Sequence, residues 1–113
     1  MALTEAEGCE VLDACFRRAG LDVARNVVFD ERGIKVTLDG WDAKARVGFE
    51  LITTEAGDRA EFTPDVVAAL EERMEAEELF LFLVDEQDVP SAEVLEQAAE
   101  RFLALLRDQG TLA

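Results

Sequence analysis

Apolar residues recur along the chain with two different spacings, and the spacing identifies the elements. Over residues 3–20 apolar side chains repeat every three or four positions, which predicts an amphipathic helix. Thr4 and Glu7 have the spacing of a capping box at its start. The same helical spacing returns over 63–78 and over 90–110. The chain therefore has three predicted helices, one at each end and one past the middle.

Strand patterns fill the segments between these helices. Residues 33–40 alternate Ile, Val and Leu with Lys, Thr and Asp, and segments 23–30 and 45–52 have the same character. The run LFLFLV at 79–84 is apolar without alternation, which is typical of a central strand covered on both faces. We predict the order α-β-β-β-α-β-α, in one α+β domain over residues 1–113 with a four-stranded mixed sheet packed by helices.

The second and third strands form a predicted hairpin, and its register decides whether nearby carboxylates can meet. Matching the apolar faces of the two strands sets Asp39 opposite Arg46 and Lys35 opposite Glu50. Asp39 and Glu50 then lie roughly 13 Å apart, at about 3.3 Å per residue. Carboxylates this far apart cannot share a cation at about 2.0–2.6 Å. The hairpin therefore predicts two cross-strand ion pairs rather than a metal site.

The composition excludes several classes of chemistry. The chain has no histidine, a single serine and seven scattered glycines, so it lacks a Ser-His-Asp triad, an imidazole base and a phosphate-binding loop. Cys9 and Cys15 lie six residues apart in one predicted helix, too far for a disulfide, and we expect both to be buried. Without histidine, a structural zinc site is not expected. Catalysis would have to rest on carboxylates, and we predict no cofactor.

Negative charge is concentrated in the second half of the chain. The formal net charge is −15, and residues 55–100 carry fifteen acids against two bases. Such a surface repels nucleic acid and anionic lipid and attracts basic partners, although solubility or salt adaptation would also account for it. Trp41 either caps the core or anchors a partner. The residues predicted to bind a partner are Trp41 and an acidic row on the second long helix, Glu71, Glu72, Glu75 and Glu78.

The order α-β-β-β-α-β resembles the core of PD-(D/E)xK nucleases. This resemblance implies a divalent-metal-dependent enzyme with an acid at Glu50, an Asp on the neighbouring strand and a Lys two residues after the acid. In the predicted register Lys35 stands opposite Glu50, and Ile52 occupies the lysine position. A nuclease-like enzyme is thus the alternative function. Its metal ligands would be drawn from Glu50, Asp39, Asp85, Glu86 and Asp88.

The small size, acidity and mixed helix-strand order also resemble class I type III secretion chaperones, which hold a partner chain. Acidic immunity proteins, which neutralise basic toxin enzymes, share the same charge logic. We therefore predict a non-catalytic acidic protein-binding module that docks a basic protein, with a homodimer left open and with no nucleic-acid or membrane partner. The acidic N-terminal segment lacks the apolar stretch of a signal peptide, so we expect a cytoplasmic protein.

Overall fold

The computed structural model describes residues 4–53 and 58–112, and its elements follow the predicted order. The segment expected to be a polar connection also contains a short helix. None of the described helices is long and apolar enough to cross a membrane. The elements are α1 (Glu5–Arg18), β1 (Ala24–Glu31), β2 (Ile34–Asp42), β3 (Val47–Ile52), α2 (Asp58–Glu61), α3 (Pro64–Glu75), β4 (Phe80–Asp85), a 3₁₀ turn (Glu86–Asp88) and α4 (Ala92–Asp108).

Local side-chain caps fix where the helices begin. The Thr4 hydroxyl accepts a hydrogen bond from the Glu7 N–H at 3.1 Å, and the Thr4 N–H donates to Glu7 Oε1 at 3.2 Å. This reciprocal pair confirms the predicted capping box. Thr63 caps α3 in a simpler way, because its hydroxyl accepts from the Val66 N–H at 3.3 Å. Both caps satisfy backbone donors that have no partner within the helix.

The four strands form one mixed sheet in the order β1-β2-β3-β4, as the α+β prediction required. The pairs β1–β2 and β2–β3 are antiparallel, whereas β3 and β4 are parallel. A parallel pair needs a crossover connection, and α3 lies within the segment that supplies it. β4 is the last strand in the sheet order, so it is an edge strand, and the expectation of a central strand was wrong. Its apolar run reflects cover on both faces, which does not determine its place in the sheet.

Helices cover both faces of the sheet and create two apolar cores. On one face, Leu12 and Phe16 of α1 meet Leu95 of α4 over β3. On the other face, Leu70 of α3 lies in the core that contains the apolar residues of β1 and β2. Cys9 and Cys15 are free and buried in the first core, as the sequence predicted.

The predicted hairpin register is wrong by four residues. The observed pairs include Gly40 with Phe49 and Asp42 with Val47, so position 39 comes opposite position 50. The prediction assumed that the apolar faces of the two strands coincide. They do not, because Leu38 belongs to the core beneath α3 whereas Phe49 belongs to the core beneath α1 and α4. Hydrophobic matching therefore could not select the register.

The turn that sets the true register is built on Asp42. The Asp42 Oδ1 atom accepts from the Lys44 and Ala45 N–H groups at 2.9 Å each, and Oδ2 accepts from the Asp22 N–H at 2.8 Å. Aspartate commonly nucleates turns in this way. Gly40 lies instead within β2, where a Cβ atom would collide with the Phe49 ring.

The two predicted cross-strand ion pairs are consequently absent. Lys35 faces Asp30 across the β1–β2 ladder rather than Glu50. Arg46 forms a two-pronged ion pair with Glu31, in which Nη1 and Nη2 each donate to a carboxylate oxygen at 2.8 Å. The Arg46 guanidinium also lies 5.4 Å from the centre of the Trp41 ring. Arg46 thus links the end of β1 to the β2–β3 turn.

We predict that Asp42→Ala lowers the free energy of unfolding by about 1–3 kcal/mol, because three backbone donors lose a buried acceptor. Asp42→Asn should lose less, since its amide oxygen can still accept two of those bonds. Urea unfolding followed by circular dichroism measures both effects. The matched control is Lys44→Ala, which changes an exposed side chain in the same loop. Equal stability of Asp42→Ala and the wild type would contradict the role given to Asp42.

Candidate functional site

The β2–β3 ladder ends where two carboxylates enter between the strands. Regular pairing stops at Gly40 and Phe49. At the next position, the Asp39 N–H donates to Glu50 Oε1 at 2.9 Å and the Leu51 N–H donates to Asp39 Oδ2 at 2.9 Å. Each side chain thus supplies the acceptor that a partner-strand carbonyl would provide in a regular ladder. Asp39 and Glu50 are direct neighbours, and the predicted separation of roughly 13 Å was wrong.

Two further carboxylates from α2 continue this arrangement. Asp58 Oδ2 accepts from the Thr53 N–H at 3.0 Å, and Glu61 Oε1 accepts from the Thr37 N–H at 3.2 Å. α2 therefore fills the gap that opens as β2 and β3 diverge. We refer to the four carboxylates in this gap as the acidic seam: Asp39, Glu50, Asp58 and Glu61.

Three of the four acidic-seam carboxylates are buried, Glu61 is half-buried, and none of the four forms an ion pair within the described residues. Glu50 is 0% exposed, Asp39 is 6% exposed and Asp58 is 9% exposed. Within residues 4–53 and 58–112, no lysine or arginine forms an ion pair of 4.0 Å or less with any of the four. Glu50 Oε2 also makes no hydrogen bond to the described part of the chain. Buried carboxylates without a counterion are costly unless a proton or a cation neutralises them.

The electrostatics of the seam favour a proton on Glu50. Burial, followed by the negative charges of Asp39 and Asp58, raises the pKa of Glu50 to about 10. Burial also raises the pKa of Asp39, and its hydrogen bond from the Leu51 N–H opposes that rise. Glu50 is thus neutral at pH 7 when no cation is present.

α1 adds two potential ligands above Asp39. Glu5 and Cys9 lie four residues apart on the helix, and therefore on the same side of it. One ligand atom from each of Glu5, Cys9 and Asp39 lies within 4.8 Å of the other two. Cys9 is 3% exposed, and burial raises the pKa of its thiol. This group was not predicted from the sequence, although the spacing of Glu5 and Cys9 on one helical face was a usable signal.

Of the residues that the nuclease resemblance implies, the structure places the Asp beside Glu50 but has no lysine at the expected position. Asp39 stands next to Glu50, as the resemblance requires and as the predicted register had denied. The lysine position remains Ile52, which packs against the core beneath α3. Full burial of Glu50 also leaves no path by which a phosphodiester could reach that carboxylate in this conformation.

The other candidate metal ligands have structural partners. Asp85 receives two hydrogen bonds from Arg59, at 2.6 and 2.9 Å, and its Oδ1 atom also accepts from the Gln87 N–H at 2.9 Å. Arg59 lies 4.0 Å from Glu86 as well. Asp88 is exposed. Asp85 and Glu86 therefore pair with Arg59 at the end of β4, and the three acids form no ligand cluster within the described residues.

The residues predicted to bind a partner divide into two groups. Glu71, Glu72 and Glu75 are exposed on α3 without an ion pair in the described structure, and we refer to these three as the acidic ridge. Glu78 lies beyond the helix end and pairs with Arg32 at 2.8 Å and with Arg73 at 3.0 Å. Trp41 is 6% exposed and packs edge-on against Phe29, so the ring is a core residue. Of the residues predicted to bind a partner, only those of the acidic ridge are exposed to solvent.

The outer edge of β4 carries no further strand among the described residues. The Phe80 N–H donates inward to the Arg46 carbonyl at 2.9 Å, whereas the Leu81 N–H points to the opposite side, 3.4 Å from Met74 Sδ. Because donors alternate along a strand, the Leu83 N–H also faces outward. Phe82 and Leu83 are only partly buried. β4 thus presents an apolar edge with outward backbone groups.

Comparison with protein-family models, with curated proteins and with solved structures finds no match to this chain. The acidic seam, the acidic ridge and the β4 edge are therefore interpreted from their own geometry.

We predict that Glu50→Gln stabilises the protein more at pH 8 than at pH 5. The folded state holds the Glu50 proton up to a pKa of about 10, whereas the unfolded chain releases it near the ordinary value of 4.5. The Glu50 contribution to stability is therefore full below about pH 4.5 and falls as the pH rises. Gln removes this loss, and we expect a gain of about 1–3 kcal/mol at pH 8.

Urea unfolding of wild type and variant at the two pH values measures this difference. Glu10→Gln is the matched control, because Glu10 is an exposed acid on α1. A Glu50→Gln effect of the same size at pH 5 and pH 8 would show that Glu50 does not carry a proton in the folded protein.

Proposed function

We propose that the protein binds a basic partner chain by adding an extended segment of that partner to the outer edge of β4. The observation that carries this proposal is the position of β4. The longest apolar run of the chain forms an edge strand, with no strand on its outer side among the described residues. Unpaired edges are templates for strand addition, in which backbone hydrogen bonds supply affinity and side-chain contacts supply specificity.

The charge around the edge supports a basic partner. The acidic ridge lies on α3, which approaches this edge at Met74, whose Sδ atom lies 3.4 Å from the outward Leu81 N–H. The exposed Glu93 lies in the first turn of α4. A second copy of the chain would bring another net charge of −15 to the same edge. Like charges at that density oppose self-pairing, whereas a lysine- or arginine-rich strand would be attracted and steered. A homodimer through β4 is therefore the less favoured occupant.

The enzyme alternative has one specific observation in its favour, the contact between Asp39 and Glu50. Against it stand the buried position of Glu50 and the apolar Ile52 where the resemblance implies a lysine. The negative surface also opposes a nucleic-acid substrate. We therefore retain non-catalytic protein binding, in a cytoplasmic setting that agrees with two free thiols.

A pair of short synthetic peptides tests the proposal, one of alternating lysine and valine and one of alternating glutamate and valine. We expect only the lysine peptide to bind, and to bind about tenfold more weakly at 500 mM than at 50 mM salt. Replacing the ridge residues Glu71, Glu72 and Glu75 with Gln should weaken binding several-fold. The charge-matched control replaces three exposed acids elsewhere with their amides: Glu10, Asp22 and Asp108. Fluorescence anisotropy measures the affinities.

A second variant separates strand addition from charge alone. Leu83→Pro removes an outward N–H without removing a β3–β4 hydrogen bond, and proline is tolerated on edge strands. We expect this variant to retain its circular dichroism spectrum and to lose peptide binding. Unchanged binding by Leu83→Pro would contradict docking at the β4 edge. Sedimentation of the protein as a dimer that Leu83→Pro dissociates would assign the edge to a second copy instead.

A further inference from the structure

α4 lies over β4, with one flank on the side of its outer edge. α1 packs over β3, since the Phe16 and Phe49 rings meet edge-on with 4.9 Å between their centres. α4 packs over β4, since the centre of the Phe102 ring lies 5.3 Å from that of Phe82. The direction from α1 to α4 is therefore the direction from β3 to β4, and the flank of α4 that faces away from α1 lies towards the outer edge of β4.

This outer flank of α4 is apolar and exposed. Arg18 of α1 reaches Glu96 and Glu100 at 4.0 and 3.6 Å, which identifies the flank of α4 that faces α1. At 3.6 residues per turn, the opposite flank falls at positions 94, 98 and 105. We refer to the residues there as the apolar flank of α4: Val94, Ala98 and Leu105. The valine is 39% exposed and the leucine is 65% exposed. Large apolar side chains exposed beside an edge strand mark an interaction surface.

The flank of α3 near the same edge is acidic. Met74 identifies this flank, because its Sδ atom lies 3.4 Å from the outward Leu81 N–H. Arg73 identifies the opposite flank, because it forms an ion pair with β1. Glu71 and Glu75 each lie two residues from Arg73, and therefore about 160° around the helix from it at 3.6 residues per turn. Two of the three acidic-ridge residues thus lie towards the β4 edge.

We propose that the partner segment at the β4 edge has two different faces, with apolar side chains towards α4 and lysine or arginine side chains towards α3. This inference rests on the proposed strand addition at β4 and adds the pattern that the partner sequence must have. Side chains alternate across a strand, so a segment paired with β4 presents one set to the apolar flank and the other set to Glu71 and Glu75. β4 itself is divided in this way, because Phe82 packs against the core beneath α4 and Leu83 against the core beneath α3.

Charge opposes the reversed orientation. Arg101 is exposed on α4 between Ala98 and Leu105, and within the described residues it forms no ion pair of 4.0 Å or less. It would repel a lysine placed on that face. Apolar side chains on the other face would remove water from Glu71 and Glu75 without pairing them, which is unfavourable. A second copy of β4 has no basic residue in FLFLVD, so it does not match the acidic side.

Three peptides of equal length test the two-faced pattern. The first alternates lysine and valine, the second alternates lysine and glutamine, and the third has the residues of the first arranged as one lysine block and one valine block. We expect the alternating lysine-valine peptide to bind about tenfold more tightly than either of the others at 50 mM salt, because only it places apolar side chains along one face of the strand. Fluorescence anisotropy measures the three affinities.

A double variant assigns the preference to α4. Replacing Val94 and Leu105 with Gln should reduce the preference for lysine-valine over lysine-glutamine to about twofold or less. Val28→Gln is the matched control and should keep the full preference, because this valine is 60% exposed on β1 at the opposite edge of the sheet. Replacing Glu71 and Glu75 with Gln should weaken both alternating peptides by the same factor and leave the preference unchanged.

The outcomes separate this inference from strand addition itself. Equal binding of the two alternating peptides, with both lost in Leu83→Pro, overturns the two-faced pattern and leaves docking at β4 intact. Binding of neither alternating peptide overturns both proposals. A preference that survives replacement of Val94 and Leu105 overturns the role of α4. Sedimentation as a dimer that Leu105→Gln dissociates would assign the apolar flank to a second copy and overturn the inference as well.

Discussion

The loss of backbone pairing between β2 and β3 is the constraint on which the rest of the site depends. The two strands pair over only three positions, from Asp42 with Val47 to Gly40 with Phe49. Beyond that point the N–H groups of buried strand residues still need acceptors, and each one left unsatisfied costs about 1–3 kcal/mol. Carboxylates from both strands and from α2 meet that need. The carboxylates of the seam therefore act as hydrogen-bond acceptors for backbone N–H groups where the diverging strands no longer pair.

Carboxylate acceptors satisfy the N–H groups, but they also place several acidic side chains in one gap, where negative charge is unfavourable. Within the described residues no arginine or lysine forms an ion pair with these acids, although arginines pair with Glu31 and Asp85 elsewhere. Arg25 reaches only the Asp39 backbone carbonyl, at 2.9 Å. Burial and the charges of Asp39 and Asp58 raise the pKa of Glu50 to about 10, so a proton on Glu50 removes one of these charges.

Features that depend on residues close together in the sequence were predicted correctly, whereas the hairpin register, which depends on contacts between distant residues, was not. The α1 cap depends on residues three positions apart, and it could be read directly from Thr4 and Glu7. The hairpin register depends instead on a contact between the two strands, because the Phe49 ring packs against Gly40 and leaves no room for a Cβ atom there. Glu61 reaches the seam through a tertiary contact with the Thr37 N–H that no spacing in the sequence reveals.

The apolar run of β4 shows the same limit and bears on function. An unbroken apolar pattern reports that both faces of a strand are covered, and it carries no information about the strand's neighbours. Such an edge would normally be shielded by charged side chains or a bulge, since it invites self-association. Phe80 to Val84 have no charged residue among them. In the proposed binding mode, the net charge of −15 on each chain opposes pairing between two copies of this edge and favours a basic strand.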